Sequence, residues 1–90
     1  MHHDTKVCED LQWQGHCKDD VTWYNSQGHQ VTISKDPSSP WPFAPPPDHK
    51  VRANGTMKCT ILPNLPSRSY SYFVDGCPEA PATPRTVIIS

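Results

Sequence analysis

The run Arg-Ser-Tyr-Ser-Tyr-Phe-Val-Asp-Gly-Cys-Pro at residues 68–78, followed by a proline-rich loop and Thr-Val-Ile-Ile-Ser at 86–90, decides the fold. In its first part Tyr70, Tyr72 and Val74 alternate with residues of the opposite face, which is the period of two that a pleated strand needs. An Asp-Gly pair then breaks the run. The chain returns as Val-Ile-Ile, a short β-branched segment that suits a buried closing strand. This stretch predicts a strand, a loop and a second strand.

Shorter strands of the same kind precede this stretch. The segment Val21-Thr22-Trp23-Tyr24 is the clearest, and its alternation predicts that Trp23 points into the core and that Tyr24 points outward. Residues 31–33 and 57–61 repeat the pattern, with turn residues between them and no sustained helical repeat anywhere. Seven or eight short strands of this spacing predict an all-β fold, a small Greek-key β-sandwich.

Length and charge restrict the function. A single domain of 90 residues buries a small core and needs reinforcement, which four cysteines can supply as disulfides. The net charge is −1 with no basic run, so neither nucleic acid nor an anionic membrane is an expected partner. No apolar stretch is long enough for membrane insertion. Residues 1–4 resemble an added or tag-like start, which leaves 5–90 as the domain.

The cysteines predict an oxidising compartment, so the protein is expected to be secreted or periplasmic. Cys8 and Cys17 flank a turn near Gly15 and are expected to form one bridge. Cys59 and Cys77 are then left as the second pair by subtraction, although four cysteines allow three connectivities. A zinc site is disfavoured because no Cys-x-x-Cys occurs.

Aromatic residues offer one candidate recognition surface. Residues 36–47 hold six prolines around Trp41 and Phe43, so this segment is a loop or polyproline II. It is either an ordered crossover whose aromatics cover the core or a docking segment for another protein. Three aromatic residues are candidates for stacking on a carbohydrate or a protein ligand: Trp13, Trp41 and Phe43.

Two further features carry less information about function. Asn54-Gly55-Thr56 is a possible N-glycosylation site on an expected turn. The acidic pairs at residues 9–10 and 19–20 suggest a solvated edge more than catalysis, and no nucleophile elbow or phosphate-binding glycine loop occurs. The chain is therefore expected not to be an enzyme.

Two separated segments resemble the cupredoxin family, small copper-binding β-sandwiches of the plastocyanin type. Residues 21–33 are similar to its strand, turn and first copper histidine, and residues 70–77 with the closing strand are similar to its C-terminal part. The resemblance places His29 at the first histidine, but Val74 at the ligand cysteine and Cys77 at the second histidine. No methionine follows Met57. A type 1 copper site needs two imidazoles, a thiolate and a weak axial ligand, so three of four ligands are absent.

The resemblance thus implies a cupredoxin-like sandwich that has lost its copper centre. The first functional hypothesis is an exported, non-enzymatic binding or structural module without a cofactor, whose ligand is an unknown protein or carbohydrate. The alternative is a metal-binding or electron-transfer domain that uses His29 with nonstandard ligands, such as His49 and Cys77 if Cys77 is a free thiol. In that case copper is the expected metal.

Overall fold

The computed structural model describes residues 1–78 and 83–90, and these form two facing β-sheets. The strands are β1 (His2–Lys6), β2 (Gln12–Gly15), β3 (Asp20–Tyr24), β4 (Val31–Lys35), β5 (Phe43–Ala44), β6 (His49–Val51), β7 (Thr56–Ile61), β8 (Arg68–Asp75) and β9 (Arg85–Ile89). One sheet has the order β1-β3-β7-β5 and the other the order β2-β9-β8-β4-β6. The pairs β1–β3 and β2–β9 are parallel, and the other pairs are antiparallel. The predicted all-β sandwich is confirmed.

The two C-terminal strands form the centre of the five-stranded sheet. Tyr70, Tyr72 and Val74 are each 1% exposed, whereas the residues between them are only partly covered. On β9, Val87 and Ile89 are buried in the same way. The period of two therefore identifies the inner face of both strands correctly, because successive side chains of a strand point to opposite sides of the sheet.

The other sheet places Trp23 in the interior. Its ring makes edge-to-face contacts with Trp13, Phe43 and Tyr72, at centroid distances of 6.0, 5.2 and 5.4 Å. Trp23 is 1% exposed and Tyr24 is 41% exposed, which confirms the predicted faces of β3. The core is thus an aromatic cluster between the two sheets, closed by aliphatic residues of both.

The start of the chain is part of the domain. The boundary predicted after residue 4 is wrong, because His2–Lys6 is strand β1 and lies parallel to β3, with Thr5 opposite Trp23. Most of β1 is polar and exposed, and it lies at the edge of its sheet. Backbone hydrogen bonds hold such a strand without any apolar pattern, so hydrophobicity gave no sign of it.

The proline-rich segment is an ordered crossover. Within it Ser39 is buried, and its hydroxyl accepts a hydrogen bond from the backbone N–H of Ser71 on β8 at 3.0 Å. Phe43 then pairs with Ile61 as part of the two-residue strand β5, and the Trp41 indole donates to the Pro45 carbonyl at 2.8 Å. Of the two readings of this segment, the structure supports the one in which its aromatics cover the core.

Candidate functional site

The loop end that holds His29 is the first candidate site, because the resemblance places a copper ligand there. A buried side chain, Asn25, builds this loop: its amide donates to the carbonyls of His29, Val51 and Arg52 at 2.9 to 3.1 Å. Its oxygen accepts from the backbone N–H of Gln27 at 2.9 Å. The buried Asn25 side chain therefore fixes the loop between β3 and β4. His29 lies at the exposed tip of this loop.

The His29 ring is already bonded to the protein. Its Nε2 lies 2.6 Å from the carbonyl oxygen of Gly76, just beyond β8. A carbonyl only accepts hydrogen bonds, so Nε2 carries a proton in this arrangement and donates it. This nitrogen has no free lone pair for a metal while the contact lasts.

The neighbouring positions supply no metal donors either. Val74 is 1% exposed, lies opposite Ile33 of β4, and has only an apolar side chain. Cys77 is bonded to Cys8, so the condition under which it could bind metal, a free thiol, is not met. His49 is buried on β6, whereas His29 is exposed in the loop before β4. Among the described residues no group of three His, Cys, Asp or Glu side chains could hold a metal, so this loop end does not fit type 1 copper.

The observed disulfide corrects the predicted pairing. Cys8 and Cys77 are joined with a Cα–Cα distance of 5.4 Å, and Cys17 and Cys59 are free. After Cys8 the chain enters β2, whose four residues run along β9 and carry Cys17 away from Cys8. Cys17 lies instead beside Leu65, whose backbone N–H points to its sulfur at 3.3 Å. The expected bridges Cys8–Cys17 and Cys59–Cys77 are therefore wrong.

The fourth cysteine, Cys59, is inside the sandwich. It is 7% exposed, and the indole N–H of Trp23 donates to its sulfur at 2.8 Å. Burial raises the pKa of the Cys59 thiol to about 11, and the hydrogen bond from Trp23 only partly opposes this shift. At pH 8 about one Cys59 in a thousand is then the reactive thiolate.

Thiol labelling tests this assignment. In native protein at pH 8 we expect an alkylating reagent to modify Cys17 and to leave Cys59 unmodified, because Cys17 is partly exposed and Cys59 is buried with a raised pKa. Unfolding without reductant should then expose one more thiol. Peptide mapping should join Cys8 to Cys77; labelling of both free thiols at equal rates in the native state would contradict the burial of Cys59.

Of the three aromatic residues predicted to form a recognition surface, one is buried and two remain partly exposed. Phe43 is 3% exposed, Trp13 and Trp41 are partly buried, and all three pack on the core. Trp13 and Phe43 lie in near-parallel planes at 6.2 Å, Trp41 meets Phe43 edge-to-face at 5.2 Å, and the Trp13 indole donates to the Tyr72 hydroxyl at 2.9 Å. In a domain of this size the burial of large aromatic rings is the main available source of stability. These rings therefore pack in or against the core.

An acidic groove is the site that the sequence did not reveal. It has a volume of about 500 Å³ and lies beside β1 and β3. Its walls are Asp4, Lys6, Glu9, Asp10, Tyr24 and Ser26. The strand β1 makes one wall, and no sequence pattern predicts this strand. The exposed face predicted for Tyr24 and the solvated edge predicted for residues 9–10 were the usable signs.

Hydrogen bonds fix part of this groove. Asp10 accepts from the backbone N–H of Lys6 at 2.8 Å and from the Thr5 hydroxyl at 3.3 Å, which holds the turn after β1. The Ser26 hydroxyl donates to Glu9 at 3.2 Å. Asp10 is therefore structural. Asp4, whose Oδ1 lies 2.7 Å from His2 Nε2, and Glu9 are exposed residues of the groove wall.

The second acidic pair includes a buried carboxylate. Asp19 is 4% exposed, and burial alone would raise its pKa, but hydrogen bonds from the His16 backbone N–H at 2.9 Å and from the Met1 ammonium and His3 lower it overall. This arrangement ties β1 to the turn before β3. Asp19 therefore acts in folding, while Asp20 is exposed as expected.

The possible glycosylation site has the exposure that it needs. Asn54 is exposed in the turn between β6 and β7, has a φ of 50°, and its backbone N–H donates to the carbonyl of Gln27 at 3.0 Å. Modification at Asn54 stays a prediction.

Solved structures of amicyanin, a cupredoxin, are similar to this chain. A Cu(I) form of a methionine-to-glutamine variant aligns with a TM-score of 0.62 and 10% identity, over 99% of this chain and 82% of amicyanin. An oxidised proline-to-alanine variant gives 0.61 and 10%, over 97% and 80%, and an oxidised methionine-to-leucine variant gives 0.60 and 12%, over 100% and 81%. No protein-family model and no curated protein matches the sequence. The protein therefore has a degenerate cupredoxin-like fold.

No helix that could cross a membrane occurs in the described ranges, residues 1–78 and 83–90.

Proposed function

We propose that this protein is an exported, non-enzymatic binding module that has kept the cupredoxin scaffold and lost type 1 copper. The observation that carries the proposal is the chemistry at the copper end of the fold. There Val74 offers no donor, Cys77 is part of a disulfide, and His29 donates to a backbone carbonyl. Function resides in the site and not in the scaffold, so electron transfer does not follow from the fold.

The disulfide also supports export. Cys8 and Cys77 are 69 positions apart and connect the turn after β1 to the loop after β8. Such bridges persist in oxidising compartments and are rare where thiols are kept reduced. A secreted or periplasmic location fits a domain that is held together in this way.

Titration with Cu(II) tests the loss of the copper centre. We expect no intense visible absorption, because no free thiolate lies beside His29. The titration should use His3→Gln protein beside the unchanged chain, since the amine and third-position imidazole of a Met-His-His start bind Cu(II) in square-planar fashion. An intense thiolate-to-copper band that disappears in His29→Gln would overturn the proposal and favour the alternative, a metal site built on His29.

For the binding role, the acidic groove is the surface that fits a ligand best. Its rim carries the carboxylates of Asp4, Glu9 and Asp10 against one cation, Lys6, and Tyr24 adds an exposed ring. Carboxylates beside an aromatic face attract Lys and Arg side chains through charge and cation–π contacts. The ligand that we propose is a basic segment of a partner protein, and a neutral carbohydrate is the competing occupant.

Peptide binding distinguishes these two occupants. A short Lys/Arg-rich peptide should bind the unchanged chain at low salt and lose affinity as salt is raised, and a Glu/Asp-rich peptide of equal length should not bind. Replacing both Asp4 and Glu9 by their amides should weaken binding about tenfold, since each exposed pair contributes up to about 1 kcal/mol. Asp75→Asn is the matched control, because Asp75 is exposed on β8 and outside the groove. Equal weakening by the control, or salt-independent binding of an oligosaccharide only, would contradict a basic protein ligand.

A further inference from the structure

Two buried side chains have metal-binding atoms that the proposed function does not use. Cys59 of β7 is 7% exposed and His49 of β6 is 8% exposed. The Nε2 atom of His49 is buried, and within the described part of the chain it has no hydrogen-bond partner. Burial lowers the pKa of His49, so its imidazole is neutral at physiological pH and keeps a lone pair. A buried polar atom without a partner is rare in folded proteins and calls for an explanation.

Sheet register brings the two side chains towards each other. His49 lies opposite Ile33, a fully buried residue of β4, and directly opposed residues share one face of a sheet. His49 therefore points into the sandwich from the five-stranded sheet. Cys59 lies opposite the buried Val21 and points inward from the other sheet. Facing sheets stack about 10 Å apart, a gap that a cysteine and a histidine side chain together can nearly span.

Both residues border one small space inside the sandwich. Its lining is Trp23, Ile33, Trp41, Phe43, Pro45, His49 and Cys59. The space has about 0 Å³ available to water, so a water molecule cannot satisfy the histidine nitrogen there. A monovalent metal ion bonded directly to the sulfur and the nitrogen needs less space than a water molecule that hydrogen-bonds to the same atoms. The pocket thus combines a soft sulfur donor, a nitrogen donor and the exclusion of water.

We propose that Cys59 Sγ and His49 Nε2 form a two-coordinate site for a soft monovalent cation of the Cu(I) class. Thiolate sulfur and imidazole nitrogen are donors that Cu(I) accepts, and a closed-shell ion of this kind is stable with two ligands in line. Zinc prefers four ligands, and no group of three or more His, Cys, Asp or Glu for a metal occurs among the described residues. The site is selective through its low ligand number and its dry walls.

Metal binding at this site needs no oxidant or reductant. A sulfur–metal bond and a nitrogen–metal bond form, the S–H bond of Cys59 breaks, and its proton leaves to the solvent. The metal keeps its oxidation state. One proton is released for each ion bound, so affinity should rise as the pH is raised.

This site is separate from the loop end that lost type 1 copper. It lies between edge strands β5 and β6 and inside the core, whereas His29 and Cys77 lie in loops. The proposal therefore does not rest on the proposed function, and a colourless result with Cu(II) leaves it untouched.

Titration with Ag(I) tests the proposal, because silver is a redox-inert ion of the same class. The full chain, in chloride-free buffer, is titrated with silver nitrate against a competing chelator, while native mass spectrometry counts bound ions. Tryptophan emission reports on the site, since the Trp23 indole donates directly to the Cys59 sulfur. We expect one tightly held ion, loss of tryptophan emission and a gain in affinity as the pH is raised.

Matched variants locate the ion. Cys17→Ser removes the other free thiol and should leave the tight ion and the emission change intact. Cys59→Ala and His49→Leu should each weaken binding at least 100-fold, and Cys59→Val replaces the alanine variant if circular dichroism shows that the latter is unfolded. Loss of the ion in Cys17→Ser, full affinity in folded His49→Leu, or a flat pH dependence would overturn the proposal.

Discussion

Replacing both Cys8 and Cys77 by alanine is expected to lower the free energy of unfolding by about 4 kcal/mol. The bridge spans 69 positions, and closing a loop of this length removes about that much conformational entropy from the unfolded chain. Most of the domain lies inside this loop. Since small domains are stable by only about 5–15 kcal/mol, the variant should be close to its unfolding transition at 37 °C.

Urea denaturation measures this effect. The double variant is compared with the unchanged chain, and Cys17→Ser is the control, because it alters a cysteine without breaking a bridge. Reductant added to the unchanged chain should reproduce the loss. If the double variant lost less than about 1 kcal/mol, or if Cys17→Ser lost as much, the Cys8–Cys77 bridge would not be the main covalent support of the fold.

The sequence predicted which residues face the core but not which strands are neighbours. Alternation depends on the local geometry of one strand, so Tyr70, Tyr72 and Trp23 were assigned correctly. Pairing depends on contacts between distant segments, and no local pattern encodes it. Residues 21–24 and 31–33 follow each other across a short turn region, yet β3 and β4 lie in different sheets. Cysteine pairing fails for the same reason, because a connectivity follows from the path of the whole chain.

The candidate sites show the same limit. The resemblance compares positions along the chain and so predicts that Val74 and Cys77 are unsuitable for copper; in the structure Val74 is a buried apolar residue and Cys77 is in a disulfide. The sequence did not show that Phe43 is buried, because composition reports that an aromatic is present and not which side of the sheet it occupies. The dry space at Cys59 is lined by residues of five strands and of the crossover segment, and so depends on sheet-to-sheet distance, which no sequence pattern contains.

The interior of the sandwich is organised by Trp23, and its removal is the second large effect expected. Trp23→Ala should lower the free energy of unfolding by about 3–5 kcal/mol, the usual cost of deleting a buried aromatic ring. The ring is 1% exposed and contacts aromatics from both sheets, so neither sheet can move in to fill the cavity without losing its own pairing. The lost indole N–H also leaves the Cys59 sulfur without its donor.

Tyr24→Ala is the matched control for Trp23→Ala, because it removes a ring of the adjacent residue from the opposite face of the same strand. Tyr24 is 41% exposed, and its hydroxyl makes only a long contact with Asp4 at 3.5 Å, so its loss should cost about 1 kcal/mol or less. Trp23→Phe should fall between the two, since it keeps one ring and loses the N–H donor. The three variants are compared by urea unfolding with circular dichroism as the probe. Equal losses of stability for Trp23→Ala and Tyr24→Ala would mean that the aromatic cluster does not hold the two sheets together. The expected order of losses would instead mean that this cluster and the Cys8–Cys77 bridge stabilise the domain.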